Sequence, residues 1–141
     1  MSAYIDTDVL AAYYCPEPMS AAVERQLTVL NRPVISTLTE VEFCSVIAKK
    51  VRQREIKRVH AERLLAQFLI HRDSGFYSVV PLQTEHFRLA RDWLATLSTT
   101  LRTQDALHLA VAVVAKLPLM TADRSFASAA TKLGARIIAV K

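Results

Sequence analysis

Short apolar runs alternate along the chain with longer stretches in which apolar residues recur every three or four positions. This alternation is typical of a parallel β-sheet whose strands are joined and covered by helices. The predicted strands are residues 3–5, 34–36, 76–80, 119–121 and 136–140. The predicted helices are residues 19–30, 38–52, 55–72, 84–97, 103–117 and 124–133, with a short helical turn after Asp8. The sequence therefore predicts an α/β fold.

The length and composition fit one compact domain. The chain has 141 residues, 52% of them apolar and spread over its whole length, with no internal repeat or linker. We therefore expect a single domain over residues 1–141. No segment reaches the roughly 18 consecutive apolar residues of a membrane-spanning helix, and the first residues do not resemble a signal peptide, which predicts a cytoplasmic protein.

Scarce glycine excludes a large class of functions. Only Gly75 and Gly134 are present, whereas the phosphate-binding loops of NAD and ATP enzymes need glycine-rich turns after a strand. The net charge of +5 suits a polyanionic partner such as nucleic acid, but it is a weak indication by itself. Cys15 and Cys44 lie in apolar segments and are interpreted as two reduced thiols of the core.

Four acidic residues stand at predicted strand-to-helix junctions or helix beginnings. Asp6 directly follows the first strand and Asp123 follows the fourth, while Glu42 and Asp105 lie near the starts of two helices. Ligand sites of open parallel sheets lie beyond the carboxyl ends of the strands, so the four side chains could share one pocket. Crowded carboxylates repel one another unless a cation neutralises them, and a hard divalent ion such as Mg²⁺ suits oxygen ligands.

Each acid also has a structural interpretation. Asp123 has the position of a helix N-cap, and Asp105 would suit the positive end of its helix. Glu42 and Glu40 both have capping-box spacing to a preceding threonine, so helical phase does not settle which of them faces the pocket. Asp6 is the least suited to scaffolding, because it closes an apolar strand and Asp8 is available as a cap.

Three segments resemble the PIN-domain nucleases, and among them the VapC-like toxins of bacterial and archaeal toxin–antitoxin pairs. The segment YIDTDVLAAYY is similar to the family's first strand with Asp6 as its acid, and STLTEVEFCSVIAKK to the second block, whose glutamate aligns with Glu42. The segment LRTQDALHLAVAVVAKLPLMTADRSFASAATKLGARII resembles the closing blocks, with acids at Asp105 and Asp123 and the accompanying hydroxyl at Thr121.

The resemblance implies a three-layer fold in which helices flank a parallel sheet of about five strands. It implies an endoribonuclease that depends on Mg²⁺ or Mn²⁺, with Asp6 and Asp105 as the firmest metal ligands and Glu42 and Asp123 as further ligands or water-positioning residues. It also implies a homodimer and a cognate antitoxin protein that blocks the site. At Asp8 the family more often has Ser or Asn, and this carboxylate is interpreted as a helix cap.

Two further features have a functional and a structural interpretation. The stretch 49–58 is rich in Lys and Arg, and it could follow an RNA backbone or form a solvated surface. His108 lies three residues after Asp105 on the same helical face, so it could approach the site, but a structural histidine is the favoured interpretation.

Two other functions stay open. An apolar strand followed by DTDV also resembles the first motif of haloacid-dehalogenase-like phosphatases, with Asp6 as nucleophile and Asp8 as general acid. Those enzymes are generally longer, and the DALHLA segment does not correspond to any of their motifs. A non-catalytic module that only binds RNA or protein is the second alternative, although binding alone would not require four acids together.

Overall fold

A computed structural model describes residues 1–140 of the chain. The strands are β1 (Tyr4–Ile5), β2 (Val34–Ser36), β3 (Ser78–Val80), β4 (Leu119–Thr121) and β5 (Ile137–Ala139). The helices are α1 (Thr7–Tyr14), α2 (Ser20–Thr28), α3 (Thr37–Arg52), α4 (Arg58–Asp73), α5 (Thr84–Ala95), α6 (Thr103–Val114) and α7 (Arg124–Lys132). The predicted α/β fold is confirmed. None of the helices in this described part is both long and apolar enough to cross a membrane.

All five strands run parallel, in the order β3-β2-β1-β4-β5. The chain adds β2 and β3 on one side of β1 and then crosses to add β4 and β5 on the other. The carboxyl ends of β1 and β4 are therefore neighbours where the strand order reverses, which is the place where open parallel sheets bind ligands. The register pairs Ile5 with Met120, so Asp6 leaves the sheet close to the end of β4.

Side chains of the central strands alternate between two hydrophobic cores. Ile5, Ile35 and Met120 pack with residues of α1 to α4, whereas Tyr4 and Leu119 pack with residues of α5 to α7. Helices thus cover both faces of the sheet, which explains why its strands are mainly apolar instead of alternating with polar residues. This arrangement is the three-layer fold that the family resemblance implied.

Helix α1 differs from the prediction of a short turn after Asp8. It begins at Thr7 and has eight residues, and Asp6 is its N-cap because the Asp6 carboxylate accepts a hydrogen bond from the Thr7 N–H at 2.8 Å. The interpretation of Asp8 as the cap is therefore wrong, since Asp8 lies inside the first turn. The helix is longer than predicted because the run from Val9 to Ala12 is buried in the core.

The two cysteines have different surroundings. Cys15 is buried, as predicted, but Cys44 is exposed, so the interpretation of two core thiols is wrong for Cys44. Phe43 and Ile47, four residues apart, turn one face of α3 to the core. Cys44 follows Phe43 directly and is therefore rotated by about 100° away from that face.

Candidate active site at the carboxyl edge of the sheet

One cavity of about 440 Å³ lies at the carboxyl edge of the sheet. The acidic residues Asp6, Asp8, Glu17, Glu42, Asp105 and Asp123 border it, together with Lys50 and His108. The structure thus brings all four predicted site acids to the same cavity, which we call the carboxylate pocket. It also adds Asp8, which the sequence analysis had interpreted as a cap.

Asp6 is held on both of its oxygens. Its Oδ1 accepts from the Thr7 N–H at 2.8 Å, and its Oδ2 accepts from the Thr121 hydroxyl at 2.9 Å. Thr121 is the last residue of β4, and its oxygen also accepts from the Asp123 N–H at 3.1 Å. Asp6 is 8% exposed. Its orientation is therefore fixed by the first residue of α1 and the last residue of β4.

Glu42, and not Glu40, faces the carboxylate pocket. Glu40 instead forms an ion pair with Arg72. Glu42 accepts hydrogen bonds from the Thr7 hydroxyl at 2.8 Å and from Nε2 of His108. Burial disfavours the charged form of Glu42, but the hydrogen bond and charge of His108 and the hydrogen bond from Thr7 outweigh it and lower the pKa of Glu42. Glu42 is thus ionised and oriented by the protein.

His108 connects Glu42 to the buried interior of the sheet. Its Nδ1 lies 2.6 Å from the Tyr4 hydroxyl, which lies 2.8 Å from the Ser36 hydroxyl and 3.2 Å from that of Thr39. A carboxylate can only accept, so Nε2 of His108 donates to Glu42. Burial raises the pKa of Tyr4 and keeps its hydroxyl protonated. His108 has the two partners expected of a structural histidine, but one of them is an acid of the pocket.

Asp105 and Asp123 both stabilise helix beginnings. Asp123 caps α7, because its Oδ1 accepts from the Phe126 N–H at 3.0 Å. Asp105 lies in the first turn of α6, with Oδ2 at 3.4 Å from the Arg102 nitrogen. Burial raises the pKa of Asp105, and the charges of Asp6 and Asp123 raise it further. The predicted structural roles are confirmed, and the same two side chains border the pocket.

Asp8 has the least satisfied carboxylate of the pocket. Its Oδ1 atom is buried and has no hydrogen-bond partner within residues 1–140. Burial raises the pKa of Asp8 to about 8, and the charge of Asp6 contributes to the rise. A buried carboxylate oxygen without a partner is costly in free energy. A cation in the pocket would remove that cost.

The donor set of the pocket fits a hard divalent cation. The oxygen donors are carboxylates and hydroxyls, both nitrogens of His108 are already paired with Glu42 and Tyr4, and neither cysteine borders the cavity. No three acidic, histidine or cysteine side chains in the described part of the chain lie close enough together to hold a metal ion between them as a three-ligand cage. Mg²⁺ does not need such a cage, since it keeps several waters and binds through one or two carboxylates. The unpartnered Asp8 oxygen and the raised pKa of Asp105 agree with this fit.

Sequence reasoning did not place Thr7, Tyr4 and Lys50 in the site. Lys50 borders the pocket and pairs with Glu55 at 3.4 Å. It follows Glu42 by eight residues, slightly more than two helical turns, so spacing alone could have put both on one face. A polar contact of Tyr4 could also have been predicted, because a tyrosine hydroxyl within a buried strand needs a hydrogen-bond partner. The identity of that partner, His108, depends on the tertiary fold.

Comparisons with known proteins give one family and a set of similar structures. A family model described as "PIN domain" matches residues 3–132. No curated protein matches the chain significantly. The chain is similar to VapBC2 from Rickettsia felis bound to a DNA fragment from the promoter, with 15% identity, a TM-score of 0.75 and 100% of each chain covered.

Two further structures have similar folds. VapC20 from Mycobacterium tuberculosis, a Sarcin-Ricin loop cleaving toxin, has 17% identity and a TM-score of 0.71, with 92% of this chain and 95% of that chain covered. A toxin–antitoxin complex from Klebsiella pneumoniae has 16% identity and a TM-score of 0.65, with 89% and 90% covered. At these identities the similarity establishes the fold and not the activity.

Proposed function

The chain belongs to the PIN domain family, and on this premise we propose that it is a divalent-metal-dependent endoribonuclease that acts as the toxin of a toxin–antitoxin pair. The observation that carries the proposal is the carboxylate pocket at the switch point of the sheet, with a buried Asp6 and an unpartnered oxygen of Asp8. RNA as the substrate is supported by the similar Mycobacterium tuberculosis structure, which is a Sarcin-Ricin loop cleaving toxin.

Asp6 and Asp105 would hold Mg²⁺ or Mn²⁺, and Glu42 and Asp123 would act as further ligands or position water. Burial and the charges of Asp6 and Asp123 raise the pKa of Asp105, and a bound cation would offset this effect. When bound, such an ion supplies an activated water for attack on phosphorus and stabilises the departing ribose oxygen.

The other side chains of the pocket orient these acids. Thr121 and the Thr7 backbone fix the oxygens of Asp6, and the Thr7 hydroxyl and His108 fix Glu42. Carboxylates that are already oriented need little reorganisation during the reaction, which is the usual basis of electrostatic catalysis. Lys50 borders the same cavity and provides positive charge near an incoming phosphate.

We further propose that a cognate antitoxin protein blocks the pocket. The similar structure from Klebsiella pneumoniae, a toxin–antitoxin complex, supports this partner. The homodimer and the cytoplasmic location stay predictions from the sequence, and gel filtration of the purified chain would test the first of them.

A cleavage assay on mixed RNA tests the nuclease directly. We expect cleavage with Mg²⁺ or Mn²⁺ and none with EDTA. Asp6→Asn and Asp105→Asn should each lower the rate at least about a hundredfold, because they remove charge from the metal ligands. Asp92→Asn is the matched control, since it removes the same charge from an exposed position on α5 and should keep the wild-type rate. Metal-independent cleavage, or full activity in both pocket variants, refutes the proposal.

The same assay separates the two alternatives. A phosphatase using Asp6 and Asp8 would release phosphate from p-nitrophenyl phosphate and leave RNA intact, whereas a non-catalytic module would do neither. The phosphatase is not favoured, because the PIN domain match over residues 3–132 places the chain in a different family.

A further inference from the structure

Two more cavities lead away from the carboxylate pocket, one next to it and one beyond that. A cavity of about 250 Å³ shares Asp105 and Asp123 with that pocket. It also shares Thr100 and Ser125 with a third cavity of about 430 Å³, which lies between α7 and the loop that follows α5. The second and third cavities together are called the hydroxyl groove below. The groove begins at the proposed metal ligands and leads away from them.

Hydroxyl side chains dominate the lining of this groove. The far cavity is lined by Thr96, Ser98, Thr99, Thr100, Ser125, Ser128, Ala129, Lys132 and Leu133. Ser125, Ser128 and Lys132 are three and four residues apart on α7, which places them on one face of the helix. All three are exposed. They are therefore accessible donors in a row along the groove.

The charge changes along the groove, from the acids that its near cavity shares with the carboxylate pocket to a far cavity with a lysine and no acid. Arg102 lines the cavity next to Asp105, and Lys132 lines the far cavity. Within the described residues no acidic side chain borders the far cavity. A ligand that enters the carboxylate pocket and extends into the groove would thus pass from acids to hydroxyls and cations.

These groups match the chemistry of a sugar–phosphate backbone. Ser, Thr, Arg and Lys side chains make many of the contacts that proteins form with phosphate oxygens and sugars. Binding through stacked bases needs aromatic side chains, and none borders the far cavity in the part of the chain that the structure describes. A peptide partner would be favoured by an apolar lining, but only Ala129 and Leu133 are apolar there.

We propose that the hydroxyl groove binds the backbone of the RNA strand on one side of the cleaved phosphate. The proposal rests on the proposed function, which places the cleaved phosphate at the carboxylate pocket. Lys132 and Arg102 neutralise phosphates, and the hydroxyls of Ser125 and Ser128 donate hydrogen bonds to phosphate or ribose oxygens. Since phosphates and sugars are the same in every nucleotide, the groove increases affinity without selecting a sequence.

Binding of a fluorescein-labelled oligouridine of about twelve nucleotides, measured by anisotropy in EDTA, tests the groove. Ser128→Asp should weaken binding about fivefold by placing a negative charge beside a phosphate. Lys132→Gln should lower the slope of log affinity against log salt by about 0.7, the value for one phosphate contact in single strands. Both positions are exposed on α7, so the folded structure should persist, and circular dichroism would check this.

Two controls match these variants. Thr131→Asp adds the same charge to α7 outside the groove, and Lys116→Gln removes a lysine charge from another exposed helix end. Both should bind the oligouridine within about twofold of wild type. Equal effects of Ser128→Asp and Thr131→Asp, or an unchanged salt slope in Lys132→Gln, would overturn the proposal.

The experiments distinguish an incorrect groove proposal from an incorrect nuclease proposal. If the wild type cleaves RNA with Mg²⁺ and the groove variants bind and cleave as it does, only the groove proposal is refuted. If no RNA is cleaved but Ser128→Asp and Lys132→Gln still weaken binding against their controls, the groove is supported and the nuclease fails. If those variants weaken capture of a co-expressed antitoxin and leave RNA binding unchanged, the groove binds protein and the proposal is overturned.

Discussion

Asp8 lies in surroundings that oppose a negative charge. Its Oδ1 atom is buried without a partner, and burial, assisted by the charge of Asp6, raises its pKa to about 8. The related nucleases that this sequence resembles more often have Ser or Asn at the position, so this chain has one more carboxylate than the family pattern requires. The pocket should therefore depend more strongly on a cation for its stability.

This surplus charge predicts how the stability of the metal-free protein depends on pH. An acid whose pKa is raised on folding loses its proton at a higher pH in the folded state than in the unfolded state. The free energy of unfolding therefore falls as the pH rises from 3.8, the ordinary pKa of aspartate, to about 8. In EDTA, urea unfolding should give a wild type up to about 4 kcal/mol less stable at pH 8 than at pH 5, because each pH unit between the two pKa values contributes about 1.4 kcal/mol. Asp8→Asn should lose most of that difference. The same pH dependence in both proteins would contradict the raised pKa of Asp8 in the folded state.

The acids were predictable from the sequence only up to a point. Asp6 and Asp123 stand directly after strands, so their shared edge could be foreseen from the chain. Helical spacing could not choose between Glu42 and Glu40, because both have capping-box spacing, and only the family resemblance indicated Glu42. In the structure Glu40 pairs instead with Arg72, an α4 residue 32 positions away. Asp8 was misread because a carboxylate just after a strand looks the same whether it caps a helix or faces a cavity.

Five of the seven helices are followed by a left-handed residue, and three of those five residues are not glycine. Arg54, Leu97 and Lys116 have φ angles of 58° to 59°, and only Gly75 and Gly134 adopt such angles without a Cβ. The sequence predicted the end of α7 at Gly134, whose position signals a helix stop. It predicted α6 to residue 117, because Lys116 carries no such signal, yet the helix ends at Val114.

Lys116→Gly should therefore stabilise the protein. A non-glycine residue pays a steric cost in the left-handed region, and removing it outweighs the extra chain entropy of glycine, for a net gain of about 0.5 kcal/mol. The backbone oxygen of Lys116 keeps its hydrogen bond from Arg136 in the variant. Urea unfolding would measure the gain, with Lys116→Ala as the control that removes the side chain but keeps a Cβ. If the glycine variant is no more stable than the alanine variant, left-handed strain at this helix end is not significant.

Several strand and helix starts were predicted correctly, but the start of α4 was not. Residues 34–36 and 119–121 coincide with β2 and β4, because short β-branched or apolar runs there are bounded by Pro and polar residues. Helix α4 was predicted from residue 55 but begins at Arg58. Its N-cap residue, Lys57, makes no side-chain capping bond, so the sequence lacks the usual start signal.

The site exists because two distant parts of the chain become neighbouring strands. Asp6 and Thr121 are 115 residues apart in sequence, yet their side chains are 2.9 Å apart beside β1 and β4. Apolar periodicity predicts that strands form and are covered on both faces, but it does not order them. The order β3-β2-β1-β4-β5, which creates the switch point, was not predicted from the sequence and is a finding of the structure.

The central claim is that this crowded pocket is built to receive a divalent cation. Isothermal titration of the metal-free protein with Mn²⁺ tests it most directly, with Asp6→Asn as the pocket variant and Asp92→Asn as the surface control. We predict saturable binding to the wild type and to Asp92→Asn, and binding at least about tenfold weaker in Asp6→Asn. Wild-type protein that binds no Mn²⁺, or an Asp6→Asn variant that binds it equally well, would contradict the account.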